Sequence, residues 1–221
     1  MNKYEEMSKG HFSKTASTYD SGFEGRIAAG LYESVLKKID VSGCRSVLDV
    51  GCGTGTILSR LSLMNKDMAL CGIDLSPEMA RIARERLGRK VEIRLCNICS
   101  EQLPYDDNSF DRLICMSTFH HLPNPKRALA EMYRVVKPEG GMIIADITSF
   151  FPVRQCLNLV YRVSRSVPIF KFGDYHMYSQ NEFCRLLEAC RFKSVRWERV
   201  PSIAPIYVGL VGFVATATPS K

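Results

Sequence analysis

Three glycines two residues apart, Gly51, Gly53 and Gly55, stand in the run Val47-Leu48-Asp49-Val50-Gly51-Cys52-Gly53-Thr54-Gly55. Glycine where a strand turns into a helix lets the backbone approach a ligand and take positive φ, and the helix N-terminus that follows favours negative charge. A dinucleotide pyrophosphate satisfies that logic, and so does the carboxylate of an amino acid. Asp49 separates the two, because a carboxylate beside the loop repels pyrophosphate but pairs with an α-ammonium. Nineteen positions past Gly55, Asp74 ends the next apolar stretch, in register for an acidic side chain that accepts from both ribose hydroxyls. A lone Asp at a strand end also serves as a helix cap, but its register with the loop favours the ribose. The pattern predicts a nucleoside joined to an amino-acid zwitterion, as in S-adenosylmethionine.

Other residues offer chemistry at lower resolution. His120 and His121 follow the fourth predicted strand, on the side where α/β sites open, and an imidazole there is a candidate general base towards a hydroxyl or carbon acid. The competing reading makes one of them a packing residue and the other a helix cap. Cys96-Asn97-Ile98-Cys99 has metal-knuckle spacing, but no second pair supplies the remaining ligands of a closed zinc site, so no metal is expected. Tyr133 and Lys137 have the Tyr-x-x-x-Lys spacing of short-chain dehydrogenases. They lead directly into Pro138 and Gly140-Gly141, a helix-to-strand turn, where neither would face a cofactor.

The elements that must hold these residues alternate. Ile27, Leu31, Val35 and Ile39 recur at helical spacing, followed by a strand at Ser46 to Val50 and a helix lined by Ile57, Leu58, Leu61 and Leu63. A second strand runs from Met68 to Ile73. Ser76 and Pro77 then cap and open a helix to Leu87. Strands follow at Val91 to Leu95 and Arg112 to Met116, and a helix opens at Asn124-Pro125 and ends near Lys137. A fifth strand spans Met142 to Ile147. Ser179 and Glu182 form a capping box for a last helix to about Cys190, and two strands, Val195 to Val200 and Tyr207 to Thr216, come without a helix between them. Such a pair is expected to run antiparallel at a sheet edge. The fold class is α/β: a doubly wound, seven-stranded, mainly parallel sheet with an antiparallel C-terminal strand, Rossmann-like.

At 221 residues the chain reads as a single domain, residues 1–221, with 1–40 as an N-terminal helical cap and 150–178 as a lid insertion. Phe150 to Tyr178 mixes apolar residues with Arg154, Arg162, Arg165 and Lys171. That mixture suits a lipophilic or anionic acceptor or contact with a membrane surface, and alternatively a helix that covers core. The start carries charge without an apolar stretch, and nine cysteines are an odd number, so a reducing, cytoplasmic setting is expected. The formal charge of +7 is scattered rather than gathered, which argues for a solvated surface over nucleic acid.

VLDVGCGTG, GIDLSPEM, LPYDDNSFD, HHLPNPKRALAEMYRVVKPEGG and the terminal strand pair occur in one order, and with them the chain resembles the class I methyltransferases, in the broad group that includes quinone-biosynthesis enzymes. The resemblance covers nearly the whole sequence. It implies S-adenosylmethionine as methyl donor, S-adenosylhomocysteine as product and a small-molecule acceptor. It assigns Asp49, Gly51, Cys52, Gly53 and Gly55 to the methionyl end, Asp74 to the ribose, Leu75 to the adenine and Ser117 to the vicinity of the methionyl group. Where the family holds the adenine amino group with an acidic side chain before the LP turn, this chain has Cys99-Ser100; the Ser100 N–H is a donor there, with Asn97 nearby. Tyr19-Asp20 resembles the aromatic-acid pair with which relatives cover the cofactor, against a packing role for Tyr19. Two other readings, an NAD(P)-dependent oxidoreductase and a nucleic-acid methyltransferase, lack the dinucleotide glycine spacing and an amine or cysteine-nucleophile motif respectively.

Overall fold

The computed structural model describes residues 1, 3–40, 42–166, 174–200 and 210–221. Among the described residues the α-helices are α1 (Lys3–Thr15), α2 (Phe23–Leu36), α3 (Thr56–Met64), α4 (Pro77–Leu87), α5 (Pro125–Val135), α6 (Phe151–Ser166) and α7 (Gln180–Ala189). The strands are β1 (Ser46–Val50), β2 (Ala69–Asp74), β3 (Glu92–Leu95), β4 (Phe110–Met116), β5 (Val136–Ser149), β6 (Phe192–Val200) and β7 (Leu210–Pro219). They form one sheet in the order β3-β2-β1-β4-β5-β7-β6. β7 runs antiparallel to both neighbours, and the other adjacent pairs are parallel. The expected architecture is present.

Parallel strands covered on both faces must be apolar throughout, and β1 shows it: Val47, Leu48 and Val50 are buried, with Asp49 as the polar exception. One face packs Leu48, Leu113 and Ile144 with α5 and α7 residues such as Leu129 and Phe183. The other packs Val47, Ile114 and Ile143 beneath Leu31, Val35, Leu58 and Ala80. The chain winds outward from β1 in one direction and from β4 in the other, so the crevice opens where these two strands end, at Gly51 and Ser117.

The starts of α4, α5 and α7 are fixed by side chains that satisfy otherwise unpaired N–H groups. The Ser76 Oγ accepts from the Met79 N–H at 3.3 Å, Asn124 Oδ1 from the Arg127 N–H at 3.3 Å, and Ser179 and Glu182 close the capping box. At the other end of α5 the expectation is corrected. β5 begins at Val136, not Met142, because Phe110 pairs with Val136 and Arg112 with Gly141, so Pro138 and Gly140 occupy a bulge inside the strand. On the last pair, Trp197 of β6 stacks on Phe213 of β7 with centroids 3.6 Å apart. The stretch 201–209, into which the expected start at Tyr207 falls, lies outside the described residues, as does Lys171 of the expected lid.

The polar lead contains a helix of its own. α1 buries Tyr4, Glu5 and Ser8, and a 3-10 turn at Ala16–Ser21 joins it to α2. It is tied across the C-terminal end of the sheet by Ser13 Oγ to Ser76 Oγ at 2.9 Å and by His11 Nε2 to Glu24 at 2.9 Å. Phe150, just before α6, and Phe151, Leu159, Val160 and Val163 within it are exposed. No helix among the described residues is long and apolar enough to cross a membrane.

Candidate cofactor and acceptor site

A cavity of about 810 Å³, the open mouth included, lies over the ends of β1, β2 and β4 under α1. Its walls include Gly51, Gly53, Asp74, Leu75, Cys99, Ser117 and His121, with Tyr4, Phe12 and Tyr19 as cover. A smaller recess of about 340 Å³ shares Tyr19, Gly51, Gly53 and Met116 with it and reaches Asp49, Cys52 and Thr54. Most of the candidate residues therefore converge on one place. Gly55, Ser100 and His120 do not line either space.

The glycine loop is locked from behind. Ile73 O accepts the N–H groups of both Gly51 and Cys52 at 2.9 Å, and Asp74 Oδ2 accepts that of Gly53 at 2.8 Å. This corrects the idea of an anion cradle, since these three donors are spent within the protein. Gly51, at φ +75°, is also pressed by Thr118, whose Oγ1 would lie 2.3 Å from any added Cβ. Gly53, at φ +53°, has nothing within 4 Å of that position, so its bare backbone faces open space. Gly55 serves packing instead, because a side chain there would meet Leu87 and Ala83 of α4 and hold α3 and α4 apart.

Two carboxylates dominate the electrostatics. Asp49 is 2% exposed, and its Oδ1 has no hydrogen-bond partner among the described residues. Burial, reinforced by the charge of Asp74, pushes its carboxyl up to about 8. Burial also raises Asp74, to about 6, while the N–H groups of Ser76 and Gly53 pull the other way. A site of this kind attracts a cation, because a positive group beside Asp49 restores the charge that burial penalises. Ser117, held at φ +50°, presents a second buried atom without a partner, Oγ. Such left-handed geometry in a non-glycine residue is kept where surrounding contacts impose it, often at functional sites.

The third such atom near the cavity is Asn97 Nδ2. Asn97 knits the turn after β3: its Oδ1 accepts from the Cys99 N–H at 3.1 Å and its carbonyl from the N–H groups of Ser100 and Glu101. The expected Ser100 donor is thereby corrected, for that N–H is already bonded at 3.0 Å and the residue is exposed. Cys99 is a buried wall whose own N–H is also engaged.

Tyr19 borders both spaces, and the neighbouring Asp20 anchors its turn by accepting from Thr54 Oγ1 at 2.7 Å and pairing with Arg86. The histidines diverge. His120 is buried, its Nδ1 2.6 Å from Asp146 Oδ1 and its Nε2 3.3 Å from Asp174 Oδ1. Burial lowers its affinity for a proton, but the two carboxylates outweigh that and raise it to about 10. With both nitrogens engaged and no face on the cavity, His120 is not a free general base. His121 does face the cavity, edge-on to Phe12 with centroids 5.0 Å apart, and its Nδ1 is 3.6 Å from Asp174. Of the described part of 150–178, Tyr175 and His176 reach this pair, their N–H groups donating to His120 O.

Sequence reasoning missed Asp146 and Asp174, and it expected a helical cap over 1–40 without identifying Tyr4 and Phe12 of α1 as part of the cover. A lone Asp in the apolar run Ile143 to Ile147 was the one available sign, since an ionisable group on a central strand needs a partner.

A family model described as a methyltransferase domain matches residues 48–144. A demethylmenaquinone methyltransferase from Tropheryma whipplei is 30% identical over 179 residues, covering 74% of this chain and 73% of that one. A ubiquinone/menaquinone biosynthesis C-methyltransferase from Citrifermentans bemidjiense is 29% identical over 196 residues, covering 79% and 82%. Among solved structures, an S-adenosylmethionine-dependent methyltransferase from Aquifex aeolicus superposes with a TM-score of 0.65 at 26% identity, covering 91% of this chain and 97% of that one.

Proposed function

The chain belongs to the class I S-adenosylmethionine-dependent small-molecule methyltransferases, and we propose that the cavity under α1 takes the methyl donor at the Asp49 end and a small lipophilic acceptor at the His121 end. The observation that carries this reading is the pairing of spent loop donors with two buried carboxylates. Gly51, Cys52 and Gly53 have no N–H left for a phosphate, while Asp49 Oδ1 has no partner among the described residues. A pyrophosphate would meet negative charge without donors; an α-ammonium would give Asp49 the charge-assisted bond it lacks.

S-adenosylmethionine, when bound, supplies a methyl group already activated by the sulfonium. The chain's share is then to bind, orient and dry the site. Asp49 holds the ammonium, Gly53 allows close approach, and Asp74 has lone pairs left for the ribose hydroxyls. Leu75 flanks the adenine, and Asn97 Nδ2 donates to a ring nitrogen in place of the acidic residue used by relatives. Ser117 Oγ addresses the methionyl region. Tyr19 and Phe12 close over the site and exclude water.

The acceptor end is walled by Phe12, Leu122 and Pro123, with Lys9 and His121 as polar groups. Such a wall suits an aromatic or isoprenoid-bearing molecule with one oxygen to orient, in keeping with relatives named for demethylmenaquinone. Turnover with a demethylnaphthoquinol and radiolabelled S-adenosylmethionine tests the reading. Label carried into the organic phase supports it; donor binding without transfer to any such acceptor removes the lipophilic assignment.

A further inference from the structure

We propose that His120, His121 and Asp174 form a mononuclear site for a zinc-class divalent cation beside the acceptor end of the cavity. His120 Nε2, His121 Nδ1 and a carboxylate oxygen of Asp174 all lie within 4.8 Å of one another. Tetrahedral ligands bound at about 2.0–2.1 Å stand roughly 3.3–3.4 Å apart. The separations from Asp174 Oδ1 are 3.3 Å to His120 Nε2 and 3.6 Å to His121 Nδ1. Those two sides need shifts of a few tenths of an ångström at most, and the third, between the two imidazole nitrogens, is no longer than 4.8 Å, so a cation enters as the rings draw together around it.

The surroundings are those of a ligand set rather than a surface ion pair. A metal-bound imidazole almost always donates its other N–H to a carboxylate or carbonyl, which fixes the tautomer and aims the lone pair. His120 has that arrangement: Nδ1 meets Asp146 Oδ1 at 2.6 Å, and Asp146 Oδ2 accepts the His120 backbone N–H at 3.0 Å. The Tyr161 hydroxyl from α6 orients Asp174 in the same way. Two imidazoles and one carboxylate leave at least one coordination position, the pattern of catalytic rather than structural zinc.

His121 borders the cavity, and the proposed site has its open position on that side. The group able to complete the shell is an oxygen or thiol donor of the acceptor, held in line for attack. In this arrangement the histidine pair contributes ligands and not a base. The acceptor role rests on the function proposed above; cation binding itself does not, and it is measured with neither donor nor acceptor present.

Chelator-treated full-length protein is titrated with Zn²⁺ by calorimetry and with Co²⁺ by visible absorption. The expected result is one cation per chain, a tetrahedral Co²⁺ spectrum, and affinity reduced at least tenfold by Asp174→Asn and by His121→Gln. Asp146→Asn should cost about 10–100-fold through its hold on His120. Retention of an S-adenosylhomocysteine-induced thermal shift shows that the variants are folded. Absence of a saturable site, affinity indifferent to both ligand substitutions, or a thiolate-to-cobalt band pointing to the cysteines overturns the proposal. Should the variants not fold, pulsed electron resonance on the Cu²⁺-loaded native protein decides: two imidazole nitrogens support the site, and none overturns it.

Discussion

Replacing Asp49 by Asn should make the ligand-free protein more stable and the donor-bound protein harder to form. The carboxyl at this position is raised to about 8 by burial and by the charge of Asp74, against an ordinary 3.8. A raised acid holds its proton in the folded state and gives it up on unfolding, so its stability contribution is full below about pH 4 and is lost as the pH climbs through 8. At pH 7 the folded chain has forgone about three pH units of ionisation at 1.36 kcal/mol each, on the order of 4 kcal/mol. Asn escapes that penalty. It buries an amide whose unmade hydrogen bonds cost about 1–3 kcal/mol, a cost that does not change with pH. The net gain at pH 7 is therefore on the order of 2 kcal/mol, about 4–8 °C in Tm for a chain of this size. The advantage over wild type should widen by about 3.7 kcal/mol between pH 5 and pH 8, since the amide cost cancels in that comparison. Loss of a charge-assisted bond to the α-ammonium, worth about 1.5–3 kcal/mol, should weaken S-adenosylhomocysteine by roughly 10–150-fold. Urea unfolding across the pH range and calorimetric titration with S-adenosylhomocysteine read the two halves. Parallel stability-against-pH curves for the two proteins, or equal affinity for the ligand, refute the electrostatic argument.

Asn97→Ala should weaken S-adenosylhomocysteine by up to about tenfold in calorimetry, the worth of one neutral hydrogen bond, while Ser100→Ala leaves it unchanged. The reverse ranking would return adenine recognition to Ser100. Tyr19→Ala should likewise weaken the ligand, and unchanged affinity would reduce Tyr19 to a packing residue. Gly51→Ala combines a left-handed backbone with a side chain 2.3 Å from Thr118, so thermal unfolding should fall by at least roughly 2–8 °C from the backbone strain alone. α1 is held mainly by a few hydrogen bonds and little buried apolar surface, so its amides should exchange quickly in the free protein and slow on ligand binding. Exchange that ignores the ligand would remove α1 from the cover.

What can be read from the sequence is local or periodic. β1 and α4 are legible to the residue, since the alternation of apolar runs and the Ser76-Pro77 cap are written in neighbouring positions. Asp49, Gly51, Gly53 and Asp74 are legible because strand-loop-helix spacing alone brings them to one crevice. The remainder depends on partners distant in sequence. His120 looks like a base until Asp146 from β5 and Asp174 from beyond α6 take both its nitrogens. Nor does the motif say that Ile73 consumes the loop's donors, or that the Ser100 N–H is turned back onto Asn97. α1 is obscure for another reason: it roofs a polar-edged cavity instead of a core, so it carries no apolar stripe for periodicity to find.

The most direct test of the central claim is a crystal structure of the protein with S-adenosylhomocysteine. The ligand's ammonium should lie within hydrogen-bond distance of Asp49, its ribose hydroxyls on Asp74 and its adenine edge against Asn97, with α1 closed above. Density for the ligand elsewhere, or an anionic group of the ligand seated on the Gly51–Gly53 loop, would contradict it.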